Sequence, residues 1–162
     1  MGTRYFRQGF LAAVALILST GCASTAEITQ VRVTSAAPTG VQALTIKVES
    51  LVPDVEGEQA TLLASLRNEL KAMGYQVDSG EIVLTATITG LDRGSTIANV
   101  VVGLGVGSDD IDIHVKLSDA GGSPYSTFLA RGSAVDKRYA DMNGVVRALG
   151  KKIAEQVSQQ IR

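Results

Sequence analysis

The sequence is poor in the residue types on which several common binding sites depend. It has no Trp, three Phe, four Tyr and one His among 162 residues. So few aromatic side chains argue against a stacking platform for bases or sugars. The balance of 15 basic and 16 acidic residues gives no sign of the basic patch that nucleic acid requires. One cysteine has no intrachain partner, so a disulfide framework is excluded.

That single cysteine, Cys22, follows a short hydrophobic segment at the amino terminus. Arg4 and Arg7 form a basic tip, and residues 9–18 form an uncharged run of about ten residues, as in secretory signals. The run is too short to span a bilayer, which needs about 20 apolar residues. The residues expected to direct cleavage before Cys22 are Leu18, Ser19, Thr20 and Gly21.

These residues resemble the lipobox of bacterial lipoproteins, with Ser19 at the position that usually carries Leu. The resemblance implies that mature protein begins at Cys22 and carries acyl chains such as palmitate. Three chains would hold it at a membrane, because each buried CH₂ contributes about 0.8 kcal/mol. Ala23 and Ser24 follow in place of Asp, which favours the periplasmic side of the outer membrane. An ordinary signal peptide with a chance cysteine is the alternative.

Removal of the signal, residues 1–21, leaves a chain of the size of one domain. Arg4 and Arg7 leave with the signal, so the net charge becomes about −3. Residues 22–42 are rich in Ser, Thr and Ala, and we expect a lipidated tether there, with a short edge strand at 28–33. Residues 43–162 are expected to form the folded domain.

Hydrophobic periodicity within residues 43–162 predicts the secondary structure. Alternation predicts strands over 44–48, 75–77, 82–89, 111–117 and 125–135. Apolar residues at helical spacing predict helices over 58–73, ended by Gly74, and over 141–160, capped by Asp141 or Asn143. Gly150 weakens the second helix by about 1 kcal/mol relative to Ala. The predicted fold class is α+β, a two-layer α/β sandwich with a mainly antiparallel sheet and two amphipathic helices on one face.

Few residues in this chain suggest catalysis. The only histidine, His114, alternates along one predicted strand with charged residues, so their side chains point to the same face. These charged residues are Asp110, Asp112 and Lys116. Together with Asp109 they resemble a ligand set, but metal ligands usually converge from separate elements, and we interpret this row as a solvated sheet face. We predict no catalytic residue, no metal ligand and no cofactor, and we expect a protein that is not an enzyme.

An uncharged, glycine-rich segment occupies residues 97–107, between Arg93 and Asp109. Its spacing matches neither the dinucleotide fingerprint nor the phosphate loop with its Lys, and a strand follows instead of a helix. Three interpretations stay open: a buried strand and turn, an apolar loop that docks on a partner, or insertion into a bilayer after oligomerisation. The candidate docking residues are Val100, Val101, Val102, Gly103, Leu104, Gly105, Val106 and Gly107.

The order of these motifs resembles a large set of small bacterial envelope lipoproteins. Besides Gly21-Cys22, the resemblance rests on residues 66–77, 82–90, 103–108 and 111–119. The layout is also similar to the amino-terminal domain of the Tol translocation propeller protein and to the core of the curli secretion lipoprotein. These resemblances imply a non-catalytic sandwich that binds other envelope proteins. The alternatives are an oligomeric pore or secretion component that uses residues 97–107, and an envelope hydrolase or small-ligand binder.

Overall fold

The protein folds as a six-stranded sheet with two helices, in a computed structural model that describes residues 24–93, 109–134 and 141–162. The elements are β1 (Ser24–Val33), β2 (Ala43–Ser50), α1 (Glu56–Ala72), β3 (Gln76–Val77), β4 (Ile82–Arg93), β5 (Asp109–Ser118), β6 (Pro124–Ala134) and α2 (Met142–Ile161). No helix among these described residues is long and apolar enough to cross a membrane.

The strands lie in the order β1-β6-β5-β4-β2-β3. The three pairings among β1, β6, β5 and β4 are antiparallel, whereas β2 runs parallel to both β3 and β4. Parallel neighbours need a long crossover, and α1 supplies it between β2 and the strands that follow. The predicted α+β fold class, with a mainly antiparallel sheet, is confirmed.

One face of the sheet is buried against the two helices. Alternate residues of β4 and β5, such as Leu84 and Ile113, are fully buried, as is Phe128 of β6 with 1% exposure. Leu66 of α1 and Leu149 of α2 meet them from the helical layer. Burial of one such side chain contributes about 1.5–3 kcal/mol, so this single core accounts for the layered architecture.

The ends of both helices follow the local chemistry of the sequence. Gly74 has a φ of +93°, a left-handed conformation that terminates α1 without the strain a side chain would bring. Asp141 caps α2, and its side chain accepts a hydrogen bond from the backbone N–H of Gly144. Both boundaries lie where the sequence predicts them.

The structure differs from the sequence-based prediction in the segment before residue 43. A tether with a short edge strand at 28–33 is predicted over residues 22–42. The edge strand is present, but β1 is longer and pairs with β6 from Ser24, opposite Ala134, to Val33, opposite Ser126. Ala26 and Ile28 pack against the core, and this burial draws the strand into the sheet. The folded domain therefore includes residues 24–33, and only residues 34–42 serve as a connection.

Candidate partner-binding surface at the open edge

Several predicted site residues lie outside the described part of the chain. These are the lipidation site Cys22, the cleavage residues 18–21 and the docking segment 100–107. The structure does place the residues that flank them. Ser24 is the first residue of β1, β4 ends at Arg93, and β5 begins at Asp109.

These flanking residues meet at one end of the sheet. Ser24 lies opposite Ala134, Ala134 opposite Asp109, and Asp109 opposite Arg93. We call this row the Ser24 end. The opposite end, where Ser123 lies in the turn between β5 and β6, is the Ser123 end.

Strand β1 leaves one edge of the sheet open. Among the described strands it pairs with β6 alone, so its outward backbone groups face away from the sheet. Val31 and Val33 are 46% and 67% exposed. Among the described residues, Leu51 is the other exposed large hydrophobic side chain. An open strand edge of this kind can accept another strand.

A bulge divides this edge into two parts. The register with β6 shifts between Thr29 and Arg32, and Gln30 has a φ of +52°. A bulge bends the strand and interrupts regular pairing, a device that limits uncontrolled association along sheet edges. A partner strand can therefore pair regularly with only a few residues on either side of the bulge.

An apolar cavity of about 260 Å³ adjoins the end of β1. Its walls come from Val33, from the connection after β1 at Ala36 and Ala37, from Tyr125 of β6 and from Gln160 of α2. The cavity lies at the Ser123 end, because Val33 pairs with Ser126 near the start of β6. It is continuous with the exposed end of the strand and can receive a small apolar side chain.

The amide of Gln160 gives this cavity a polar group. Its Oε1 atom accepts a short hydrogen bond from the hydroxyl of Ser126, whereas its Nε2 atom is buried without a hydrogen-bond partner in the described structure. The Nε2 atom is closed off from solvent, so a molecule in the cavity does not reach it in this arrangement of the side chain.

The charged row on the opposite face of the sheet forms internal pairs. Arg131 of β6 donates from Nε to Oδ1 of Asp112 at 2.7 Å and from Nη2 to Oδ2 at 3.3 Å. This hydrogen bond and the charge of Asp112, with Glu27 further away, raise the pKa of Arg131. His114 is exposed on this face, and the described residues contain no cluster of three or more His, Cys, Asp or Glu side chains that could hold a metal ion.

A second concavity runs along the outer surface of the helical layer. It has a volume of about 550 Å³, and polar residues of α1 and α2 such as Asn68, Glu69, Arg147 and Lys151 line it. The groove is shallow because the helices touch beneath it, where Ser65 Oγ donates to the carbonyl of Arg147 at 3.1 Å. Residues of both signs line it, so it has no strong preference for one ligand charge.

The short edge strand predicted over 28–33 is present as the second part of β1, whereas the cavity beside it is not predicted from the sequence. The start of the strand at Ser24 is also not predicted, because the surrounding Ser, Thr and Ala favour a tether. The cavity draws on residues from three distant parts of the chain, and no local pattern brings them together.

The chain belongs to a family described as a domain of unknown function, DUF4410, which matches residues 42–160. No protein of curated function matches the chain in sequence.

Solved structures share this fold at low sequence identity. A subunit of the PelC dodecamer from Paraburkholderia phytofirmans is 14% identical, with a TM-score of 0.56 over 86% of this chain and 99% of that one. A minor lipoprotein from Acinetobacter baumannii is 16% identical, with a TM-score of 0.42 over 76% of this chain and 92% of that one. The likeness to PelC shows a common fold, and the minor lipoprotein superposes less closely.

Proposed function

We propose that the protein is a bacterial envelope lipoprotein, acylated at Cys22 on the periplasmic side of the outer membrane, whose sandwich domain binds another envelope protein without catalysis. The observation that carries this proposal is the open edge at β1, with exposed Val31 and Val33 beside an apolar cavity. The signal-like segment before Cys22 and the resemblance to a lipobox support the membrane anchor.

The edge suits strand addition by an extended segment of the partner. In this mode of recognition the backbone hydrogen bonds supply affinity, and pockets for alternate side chains supply specificity. The cavity beside Val33 is such a pocket, and its mainly apolar walls suit a small apolar side chain of the incoming chain. The bulge near Gln30 keeps the added strand short, which suits a specific partner better than open-ended association.

A second candidate is an oligomeric pore or secretion component. One observation favours it, since a protein with the same fold, PelC, was solved as a dodecamer. This candidate would use the uncharged residues 97–107. They lie in the sequence between Arg93 and Asp109, which are paired at the Ser24 end. Native mass measurement of the detergent-extracted protein separates the candidates, because a monomeric mass would contradict the oligomer.

Site-specific photo-crosslinking in cells tests the binding edge. A photoreactive residue in place of Val33 should give a discrete crosslinked product, because this side chain lies exposed beside the cavity. The matched control is Ala120, which is also exposed at the Ser123 end but lies in the turn away from the edge. Equal products at residues 33 and 120 would refute the binding edge.

A further inference from the structure

The start of β1 fixes how far the domain can stand from an acylated Cys22. Only Ala23 separates Cys22 from Ser24, the first residue of the strand. Successive Cα atoms are at most about 3.8 Å apart, so the Cα atoms of Cys22 and Ser24 lie within about 8 Å of each other. A flexible tether of about 20 residues would instead give a mean span of about 25 Å.

The short link has a consequence for the whole Ser24 end, because that end is a row of strand termini. Ala134 and Asp109 lie beside Ser24 in register, and Arg93 lies beside Asp109. The rigid hydrogen-bonded sheet keeps these residues together. If Ser24 is held near a surface, the neighbouring strand termini are therefore held near the same surface.

The loop between β2 and α1 lies at this end as well. Arg93 donates from Nη2 to the backbone carbonyl of Asp54 at 2.9 Å and forms an ion pair with Glu58 of α1 at 2.9 Å. Leu51 at the start of this loop lies further from the end, because its backbone N–H donates to the carbonyl of Ile88, near the middle of β4. The later part of the loop and the start of α1 therefore lie beside the Ser24 end.

We propose that the Ser24 end of the sandwich rests on the surface of the bilayer, with the strands directed away from it. The proposal rests on the proposed acylation of Cys22. A ten-residue strand is about 33 Å long, so the Ser123 end, with the apolar cavity, stands about 30 Å from the membrane.

Fluorescence quenching on vesicles tests this orientation with the full acylated protein. The thiol of an acylated Cys22 is blocked, so an introduced cysteine is the one free thiol and takes a fluorescent label. The two variants are Asp92→Cys, in the row next to Arg93 at the Ser24 end, and Ala120→Cys, in the turn at the Ser123 end. The vesicles contain phosphatidylethanolamine, phosphatidylcholine and a phospholipid with a nitroxide on its headgroup.

The label at residue 92 should be quenched several-fold more strongly than the label at residue 120. Insertion of about ten Gly and Ser residues between Ala23 and Ser24 should bring this ratio close to one while the protein still floats with the vesicles. If the two labels are quenched equally in protein that floats with the vesicles, or if the insertion leaves the ratio unchanged, the proposed orientation is wrong while the membrane anchor stands. Protein that does not float with the vesicles would refute the anchor and the orientation together.

Discussion

At the scale of single residues, the contact between the two helices depends on the absence of a side chain at Gly150. A Cβ atom built there would collide with both side-chain atoms of Ser65 on α1. From the sequence, Gly150 is predicted only to weaken α2, because its packing partner lies far away along the chain. The structure shows that this glycine permits the close approach of α1 and α2.

Changing Gly150→Ala should therefore destabilise the protein despite the better helix propensity of Ala. We expect a loss of about 1–3 kcal/mol in the free energy of unfolding, because a tightly packed contact must open. The matched control is Gly57→Ala in α1, where nothing lies within 4 Å of an added Cβ. That change should leave stability unchanged or raise it by up to about 1 kcal/mol. Urea denaturation of both variants measures the difference, and a stabilising Gly150→Ala would contradict this account of the helix contact.

At the scale of elements, strands with strict alternation are predictable from the sequence, whereas their pairing is not. The residues of β4 and β5 alternate so regularly that their existence follows from periodicity alone. The parallel pairing of β2 with β4 follows from the crossover through α1, and periodicity carries no information on strand order. For the same reason, no local pattern indicates the cavity beside Val33.

Sequence and structure disagree on where strand β1 begins, because the edge strand predicted over 28–33 already starts at Ser24. Its first half contains mainly small and polar residues, and such a composition is also typical of linkers. The packing of Ala26 and Ile28 against the core decides the outcome, but that contact depends on α2, which lies at the far end of the chain. Composition alone could not reveal it.

Two matched substitutions in β1 distinguish a strand of the domain from a tether. Ile28→Asp should lower the free energy of unfolding by about 2 kcal/mol or more, because it places a charge against the apolar core. Val33→Asp should change it by less than about 0.5 kcal/mol, because this side chain is 67% exposed. Thermal or urea unfolding provides the comparison. If both variants are as stable as the parent protein, residues 24–33 do not belong to the folded domain.

At the scale of the whole molecule, the two features that matter for function lie at opposite ends. The strand that follows Cys22 begins at the Ser24 end, while the apolar cavity and the end of β1 lie at the Ser123 end. With Cys22 acylated, as we propose, this arrangement directs the open end of the strand away from the bilayer. The chain belongs to the DUF4410 family and shares its fold with PelC, and the similarity to the Tol and curli proteins stays a prediction.

The anchor at Cys22 is the central claim, and the mass of the native amino-terminal peptide tests it most directly. Protein purified from the membrane fraction should yield a first residue, Cys22, that carries a diacylglycerol and a further acyl chain. Cys22→Ala should move the protein to the soluble fraction and abolish incorporation of labelled palmitate. An amino-terminal peptide that begins elsewhere, or an unmodified Cys22 in membrane-bound protein, would contradict the account.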